Sequence, residues 1–282
     1  MGTTSGWFYS EIIMNNLKPF NQNTDFCVDL NSLNPREELL RAQKIIEKLK
    51  KTNEQKDEFV SLATHQIRSP LGAIRGYISL IIEGDYGVVS EELYEPLNII
   101  LKSVDTLGKT VNDFLDLSRI DQGEMRYYKK DFDLTQLANE VVNEMKKGII
   151  DTGLDLKINI STEPLIVHGD KTKLKHVLLN LLDNASKYTK TGFIKINLHR
   201  KNNDKVVFSI KDSGVGIKPK TMPLLFQKFS RCAEASQTNI LGTGLGLYIA
   251  KKMLEAQNGR IWAESEGENK GSQFYVELDL VK

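Results

Sequence analysis

Cysteine, long apolar runs and net charge are all scarce in this sequence. Cys27 and Cys232 are the only cysteines in 282 residues, too few for a disulfide framework. With no secretory apolar segment, a reducing cytosol is the expected setting. The apolar stretches, such as Ile78 and Leu80–Ile82, fall far short of the roughly 20 residues that cross a bilayer, so no membrane span is expected in this chain. Lys plus Arg number 38 and Asp plus Glu 37, a formal charge of +1. That balance offers no broad positive field, so nucleic acid is not an expected partner.

What is present is ordinary globular material. Hydrophobic residues make up 40% and charged residues 27%, enough for a real core. The length predicts two domains. Residues 1–34 stay unassigned, with an apolar cluster at Trp7, Phe8, Tyr9, Ile12, Ile13 and Met14 and a strand-like run Phe26-Cys27-Val28-Asp29-Leu30. From Pro35 the pattern is helical, with Asn34 as N-cap, proline at the first helical position and Glu37 and Glu38 in the first turn. Residues 36–58 carry seven basic and six acidic side chains of mixed sign, the mark of a solvated helix face. A heptad fits with Leu39, Ile46, Asn53 and Val60 at a, and Ala42, Leu49, Lys56 and Ala63 at d. A single amphipathic helix is the plain alternative to a parallel pair.

Helix is expected to about Glu83, then a turn at Gly84-Asp85-Tyr86-Gly87, then a second helix capped by Ser90. Its apolar positions Leu93, Leu97, Ile100, Val104, Leu107, Val111, Phe114 and Leu117 recur at three and four residues. One hairpin cannot bury both stripes, so residues 36–120 predict a homodimer forming a four-helix bundle. After Asp121-Gln122-Gly123 the pattern is mixed. Helices are expected at Leu134–Met145, Lys171–Tyr188 and Leu245–Asn258. Strands are expected at Leu154–Ser161, Phe193–His199, Lys205–Lys211, Arg260–Glu264 and Ser272–Leu280. The expected fold is an all-α helical hairpin at 35–124 followed by an α+β sandwich at 125–282.

Three constellations carry chemistry. His65 falls at heptad position f, facing outward, and Pro70 five residues later should bend the helix just beyond it. A neutral imidazole is a nucleophile near neutral pH. Asp212-Ser213-Gly214-Val215-Gly216-Ile217 follows a strand, and Gly242-Thr243-Gly244-Leu245-Gly246-Leu247 opens a helix. Together they predict backbone N–H groups cradling phosphates, with Pro219–Leu241 between them as a mobile lid. In Asn180-Leu181-Leu182-Asp183-Asn184-Ala185-Ser186-Lys187-Tyr188, the two asparagines share a helix face. Two amide oxygens with phosphate oxygens and water suit Mg²⁺, and Lys187 lies near enough to neutralise a phosphate. His168, His176 and His199 lack metal-ligand spacing and read as structural.

The stretch Phe59-Val60-Ser61-Leu62-Ala63-Thr64-His65-Gln66-Ile67-Arg68-Ser69-Pro70-Leu71 resembles the phospho-acceptor box of two-component sensor histidine kinases. Asn180–Thr189 is similar to their N box, and Asp212–Ile217 and Gly242–Leu247 to their glycine boxes. Leu225-Phe226-Gln227-Lys228-Phe229-Ser230-Arg231 resembles the F box, and Gly271-Ser272-Gln273-Phe274 a shortened last box. The order is that of the family, over about residues 36–282.

The resemblance implies a bundle presenting His65 and a Bergerat-type domain of the gyrase-like superfamily binding ATP. It implies that Asp212 binds the adenine amino group, with Tyr188 packed near the base. It assigns Mg²⁺ to Asn180 and Asn184, places Lys187 near the phosphates, and counts Asn184, Lys228, Thr243 and Leu245 among the ATP-binding residues. Gly214, Gly216, Gly242, Gly244 and Gly246 would shape the lid and its hinges, and Arg231 would reach the γ-phosphate. The implied partner is the receiver domain of a response regulator. The implied setting is cytoplasmic, or the soluble part of a longer membrane-linked sensor.

Two positions depart from the family pattern. Gln66 follows the histidine where the family usually has a carboxylate, and an amide cannot take up the ring proton. Ser69 stands where the family commonly has Thr or Asn to position the water that dephosphorylates the partner. A phosphatase-biased or weak kinase is therefore one alternative, and an ATP-driven clamp of the gyrase or chaperone kind another.

Overall fold

The computed structural model describes residues 35–230 and 243–281. The expectations for residues 1–34, Arg231, Cys232 and Gly242 lie outside the described residues.

Helix α1 spans Pro35–Glu83, 49 residues, and runs through Pro70 as a single helical element. Gly84–Gly87 turns the chain, with Gly84 N donating to Ile81 O at 3.1 Å and Gly87 N to Gly84 O at 3.0 Å. Helix α2 spans Glu91–Asp121. Ser90 holds the N-cap position with extended backbone, but its hydroxyl makes no capping bond. Glu91 and Glu92 at the positive end of the helix dipole supply the start signal instead. The helices are joined side by side by Arg75 Nε to Asp105 Oδ1 at 2.7 Å and Arg68 Nη2 to Asn112 Oδ1 at 2.6 Å. Much of the apolar stripe is open, with Leu39 60% and Leu49 63% exposed on α1. On α2, Leu93 and Leu107 are also exposed. No helix among the described residues is long and apolar enough to cross a membrane.

Beyond the hairpin the chain forms β1 (Lys130–Asp133), α3 (Leu134–Asp151), β2 (Asp155–Ile160), β3 (Ile166–Gly169) and α4 (Lys171–Tyr188). The strands β4 (Phe193–Asn202) and β5 (Lys205–Asp212) follow, then α5 (Gly246–Glu255), β6 (Arg260–Glu264) and β7 (Ser272–Asp279). A short 3₁₀ turn occupies Met222–Leu224. The main sheet has the order β2-β4-β5-β7-β6, with only β2 and β4 parallel. The α+β sandwich after a helical hairpin is the architecture expected from the pattern of the sequence.

Period-two alternation explains which sheet face is inside. Ile194, Ile196 and Leu198 on β4 are 1% exposed or less, and Val206, Phe208 and Ile210 on β5 are fully buried. They pack under Leu137, Val141, Leu178, Leu182, Ile249 and Met253 of the three helices. The other face is polar and aromatic. Trp262 stacks on Tyr275 at 4.8 Å, and the Arg260 guanidinium lies over the Trp262 ring at 4.9 Å.

The strands β1 and β3 are not anticipated by the sequence pattern. Their four-residue antiparallel pairing joins Lys130 to Gly169 and Asp133 to Ile166. Lys130-Asp131-Phe132-Asp133 shows little apolar alternation, so pairing here follows from caps rather than from burial. Asp133 Oδ1 accepts from Thr135 N at 2.9 Å and Leu165 N at 3.0 Å, tying the start of α3 to the strand beside it. Asp170 caps α4 through Lys173 N at 3.0 Å and also accepts from Tyr128 N at 2.9 Å. His168 Nδ1 sits 2.6 Å from Asp131 Oδ1 across this small sheet, a structural placement.

Glu277 offers a test of the sheet. It is 5% exposed and is held by Lys201 Nζ at 2.7 Å and Lys205 Nζ at 2.8 Å. The hydrogen bonds from these two ammonium groups hold its carboxyl below the usual glutamate range. A lowered folded-state pKa stabilises the fold above the unfolded value, and that stability is lost as pH falls through the folded value. Glu277→Gln should cost about 1–3 kcal/mol at pH 7. In denaturant titrations the difference from wild type should shrink toward zero as pH drops below about 4.

Candidate functional site

Helix α4 has leucines on one side and amides on the other. Leu174, Leu178, Leu181 and Leu182 are 1% exposed or less and face the core. Asn180, Asn184 and Tyr188 recur every four residues on the opposite side. They line a cavity of about 730 Å³ together with Lys187, Asp212, Gly216, Thr243, Gly244 and Gly246. Nine residues singled out from the sequence are thus brought to one place.

Asp212 ends β5 at one wall of the cavity. It is 2% exposed. Its Oδ2 accepts from Ser272 Oγ at 2.5 Å, and its Oδ1 from Gly214 N at 2.9 Å and Ser272 N at 3.2 Å. Burial pushes its carboxyl above the usual aspartate value, and these hydrogen bonds pull it back in part. Three donors on two oxygens fix the plane of the carboxylate, as recognition of a flat polar ligand edge requires.

Two glycines show where space is short. Gly216 has φ +69°, a left-handed conformation that a side chain disfavours, and a Cβ there would run into Gly267 O. A Cβ on Gly246 would meet Asn180 Oδ1, so the start of α5 lies directly on the α4 amide. The Asn180 Nδ2 on that amide is enclosed with no partner. An unpartnered enclosed amide in a cavity wall calls for a polar ligand.

Lys187 is exposed and its Nζ reaches Asp183 Oδ2 at 2.8 Å, the same oxygen that Lys109 Nζ of α2 approaches at 3.5 Å. Three expected residues stand elsewhere. Leu245 is 0% exposed and belongs to the core. Gly214 packs behind the Tyr188 carbonyl rather than on the cavity, since a Cβ there would strike that oxygen. Lys228 bonds both oxygens of Asp121 at 2.7 Å, and its ammonium lies 5.2 Å from the Tyr248 ring centre. On α1, His65 is helical, and Gln66 and Ser69 are exposed and do not line the cavity.

The sequence reading missed one whole wall. Thr106, Lys109, Thr110 and Asp113 of α2 line the cavity as well. Asp113 Oδ2 accepts from Thr243 Oγ1 at 3.0 Å. Burial raises the Asp113 carboxyl, and the Thr243 bond partly offsets this. Nearby, Asp116 lies 3.5 Å from His176 Nδ1 and 3.6 Å from Lys173 Nζ. The only signal for this wall was acids at i and i+3 on a helix whose apolar stripe had drawn the attention. Ser272 was named only as part of a box, although its hydroxyl holds Asp212.

A sandwich with its ligand cavity between α4, α5 and the end of β5 belongs to a known class of nucleotide-binding domain. Residues 169–282 match the family of histidine kinase-, DNA gyrase B- and HSP90-like ATPases. Residues 55–123 match the His kinase A (phospho-acceptor) domain. The chain belongs to the two-component sensor histidine kinases.

Among curated relatives, hybrid signal transduction histidine kinase B of Dictyostelium discoideum is 31% identical over 244 residues. That match covers 85% of this chain and 12% of the relative. The circadian input-output histidine kinase CikA of Synechococcus elongatus is 32% identical over 246 residues, covering 84% of this chain and 32% of the relative. The chain therefore spans well under half the length of these relatives. Of solved structures, full-length ShkA in complex with AMPPNP shares the fold at a TM-score of 0.63 and 24% identity, over 80% of this chain and 46% of that one. Acinetobacter baumannii AdeS shares it at a TM-score of 0.52 and 24% identity, over 77% and 98% of the two chains.

The contact between Gly246 and Asn180 is open to a double-mutant cycle. Gly246→Ala should destabilise the fold by roughly 1–3 kcal/mol through the clash with the amide. In thermal unfolding, Asn180→Ala combined with Gly246→Ala should regain most of that loss. Simple additivity of the two changes would show that the clash is not the cause.

Proposed function

We propose that this chain is an ATP-dependent protein histidine kinase that phosphorylates His65 and passes the phosphoryl group to an aspartate of a response regulator. The reading is carried by a cavity lined by Asp212, Asn180 and Asn184 in one chain with a phospho-acceptor domain spanning His65. We take residues 35–124 as the phospho-acceptor and dimerisation part and 125–282 as the ATP-binding part. The open apolar stripe of Leu39, Ile46 and Leu49 supports pairing with a second copy.

In this reading the Asp212 carboxylate, held by Gly214 N and both Ser272 donors, accepts from the adenine amino group. Tyr188 packs near the base. Mg²⁺ would be held through the Oδ1 atoms of Asn180 and Asn184, hard oxygens of the kind this cation takes, while the enclosed Asn180 Nδ2 is a donor left for a ligand acceptor such as a phosphate oxygen. When bound, the cation neutralises charge on the phosphate oxygens. Asn180 and Asn184 orient it, and Lys187 adds a positive charge at the phosphate end once it leaves Asp183. The chain's own task is placement and charge neutralisation, which phosphoryl transfer chiefly requires. Gln66 cannot accept the ring proton as a carboxylate does, so the imidazole must lose it to water or to another group.

Incubation with γ-labelled ATP and Mg²⁺ tests the proposal. Wild type should acquire acid-labile label and His65→Ala none, while hydrolysis without label on the protein would instead indicate a clamp. Gln66→Glu should raise the labelling rate severalfold if proton removal limits it, an effect of the order expected for general-base assistance. Affinity has a pH signature too. Asp212 takes up its proton above the ordinary aspartate range, so ATP affinity should be full at pH 8 and decline as pH falls toward that raised value. In equilibrium titrations Asp212→Asn should bind about tenfold or more weakly and show no such decline.

A further inference from the structure

The main sheet packs one face on the helices and leaves the other without a layer above it. On that outer face Lys157 of β2, Lys195 of β4 and Lys211 of β5 stand in one row. The register pairs Lys157 with Lys195 and Lys195 with Lys211. Strand alternation sends them outward, since Ile194, Ile196 and Ile210 beside them are 0% exposed. Like charges directly across a strand pair destabilise a sheet. A row of three is an arrangement that folding alone disfavours, and such local conflicts gather at functional surfaces.

The same sheet shows what lysines with a structural task look like. Lys201 and Lys205 both bond the buried Glu277, at 2.7 and 2.8 Å. Within the row, Lys157 has Asp155 at 3.2 Å and its ammonium lies 5.3 Å from the Phe193 ring centre. Lys195 and Lys211 are exposed and have no ion pair among the described residues. The row continues through Gln273 of β7 to Glu264 of β6. Glu264 does not answer the lysines, because it accepts from Trp262 Nε1 at 3.2 Å and Tyr275 OH at 2.9 Å. Those bonds fix the stacked Trp262 and Tyr275 rings, and the Arg260 guanidinium lies on Trp262. Rigid aromatic and arginine side chains lose little entropy on contact, so this corner is a ready anchor beside the charged row. With the rings stacked on each other and on Arg260, little ring face is left for a nucleobase or an acyl chain.

Spacing selects the occupant. Three adjacent strands spread the lysines over about 10 Å, at roughly 4.8 Å per strand. Carboxylates at i, i+4 and i+7 of an α-helix share one side and span about 10.5 Å. Alternate residues of an extended strand would span about 13 Å and fall out of step.

We propose that this face docks an acidic α-helix of a partner protein. The helix lies across the strands, with carboxylates at i, i+4 and i+7 over Lys157, Lys195 and Lys211. Trp262, Tyr275 and Arg260 form the anchor at one end. The surface is on the opposite side of the sheet from the cavity, so it stands whether or not that cavity binds ATP.

The test uses the full chain and an alanine-based helical peptide of about 20 residues with glutamates at i, i+4 and i+7. A control peptide of the same composition carries them at i, i+2 and i+5, spread round the helix. Trp7→Phe leaves Trp262 as the only tryptophan, so its emission reports binding. The first peptide should shift that emission and bind at least about fivefold tighter than the control, with affinity falling as salt rises. Lys195→Gln should reduce the preference about threefold. Lys211→Glu should remove it while raising the Tm by about 1–4 °C, because an attractive cross-strand pair replaces a repulsive one. Equal binding of the two peptides, a lower Tm in Lys211→Glu, or tighter binding to a thymidine oligonucleotide or to phosphatidylserine vesicles would overturn the proposal.

Discussion

The 3.6-residue period of helix α4 is the constraint on which the site depends. One helix must present leucines to the sheet and amides to the cavity, and it can do so only while its rotation about its own axis is fixed. Leu174, Leu178, Leu181 and Leu182 fix that rotation by burial. The positions of Asn180, Asn184 and Tyr188 then follow from the helix period. The packing that stabilises the domain is therefore also what aims the chemistry. A cavity-forming change among these leucines would cost about 2–5 kcal/mol and would turn the amides as well.

The second half of the site is assembled from segments far apart in the chain. Asp212 at the end of β5 is completed by Ser272 at the start of β7, and the antiparallel register pairs these two residues. Gly246 closes on Asn180 because only a missing Cβ lets α5 begin there. Such contacts couple the sheet, α4 and α5, so the cavity is rigid at its base end. Its other wall comes from α2, joined through Asp113, Asp116 and Asp121 and through Leu117 and Ile120 packed on the core. A site walled by two separately built parts suits a nucleotide that one part must hold and present to the other.

Much of this was legible in the sequence because the signals were periodic or conformational. Lys171–Tyr188 and Arg260–Glu264 begin and end where caps, glycines and alternation place them. The glycine boxes mark positions where backbone must approach another group closely; Gly214 and Gly216 lie against backbone oxygens and Gly246 against the Asn180 side chain. The illegible parts lacked any repeating signal. The strand at Lys130–Asp133 is short and polar, and only the Asp133 and Asp170 caps explain it. Lys228 stood in a motif expected to bind ATP, yet its partner is an aspartate 107 positions away in the chain. Ionic contacts at such separation carry no pattern, because any exposed acid on α2 could have answered.

The small β1–β3 sheet has a consequence for reach. Asp170 is 4% exposed and accepts from Tyr128 N, while its own N–H donates to Gln257 at 2.6 Å. The connector from α2 is therefore pinned where it meets the sandwich, and slack cannot be drawn from it without breaking buried bonds. Even fully extended, the chain between Asp121 and Tyr128 spans at most about 25 Å, and the N–H groups of Gln122, Gly123, Glu124 and Met125 donate back to the last turn of α2 and shorten it further. The ATP-binding part is a weight on a short leash, moored close to the end of α2.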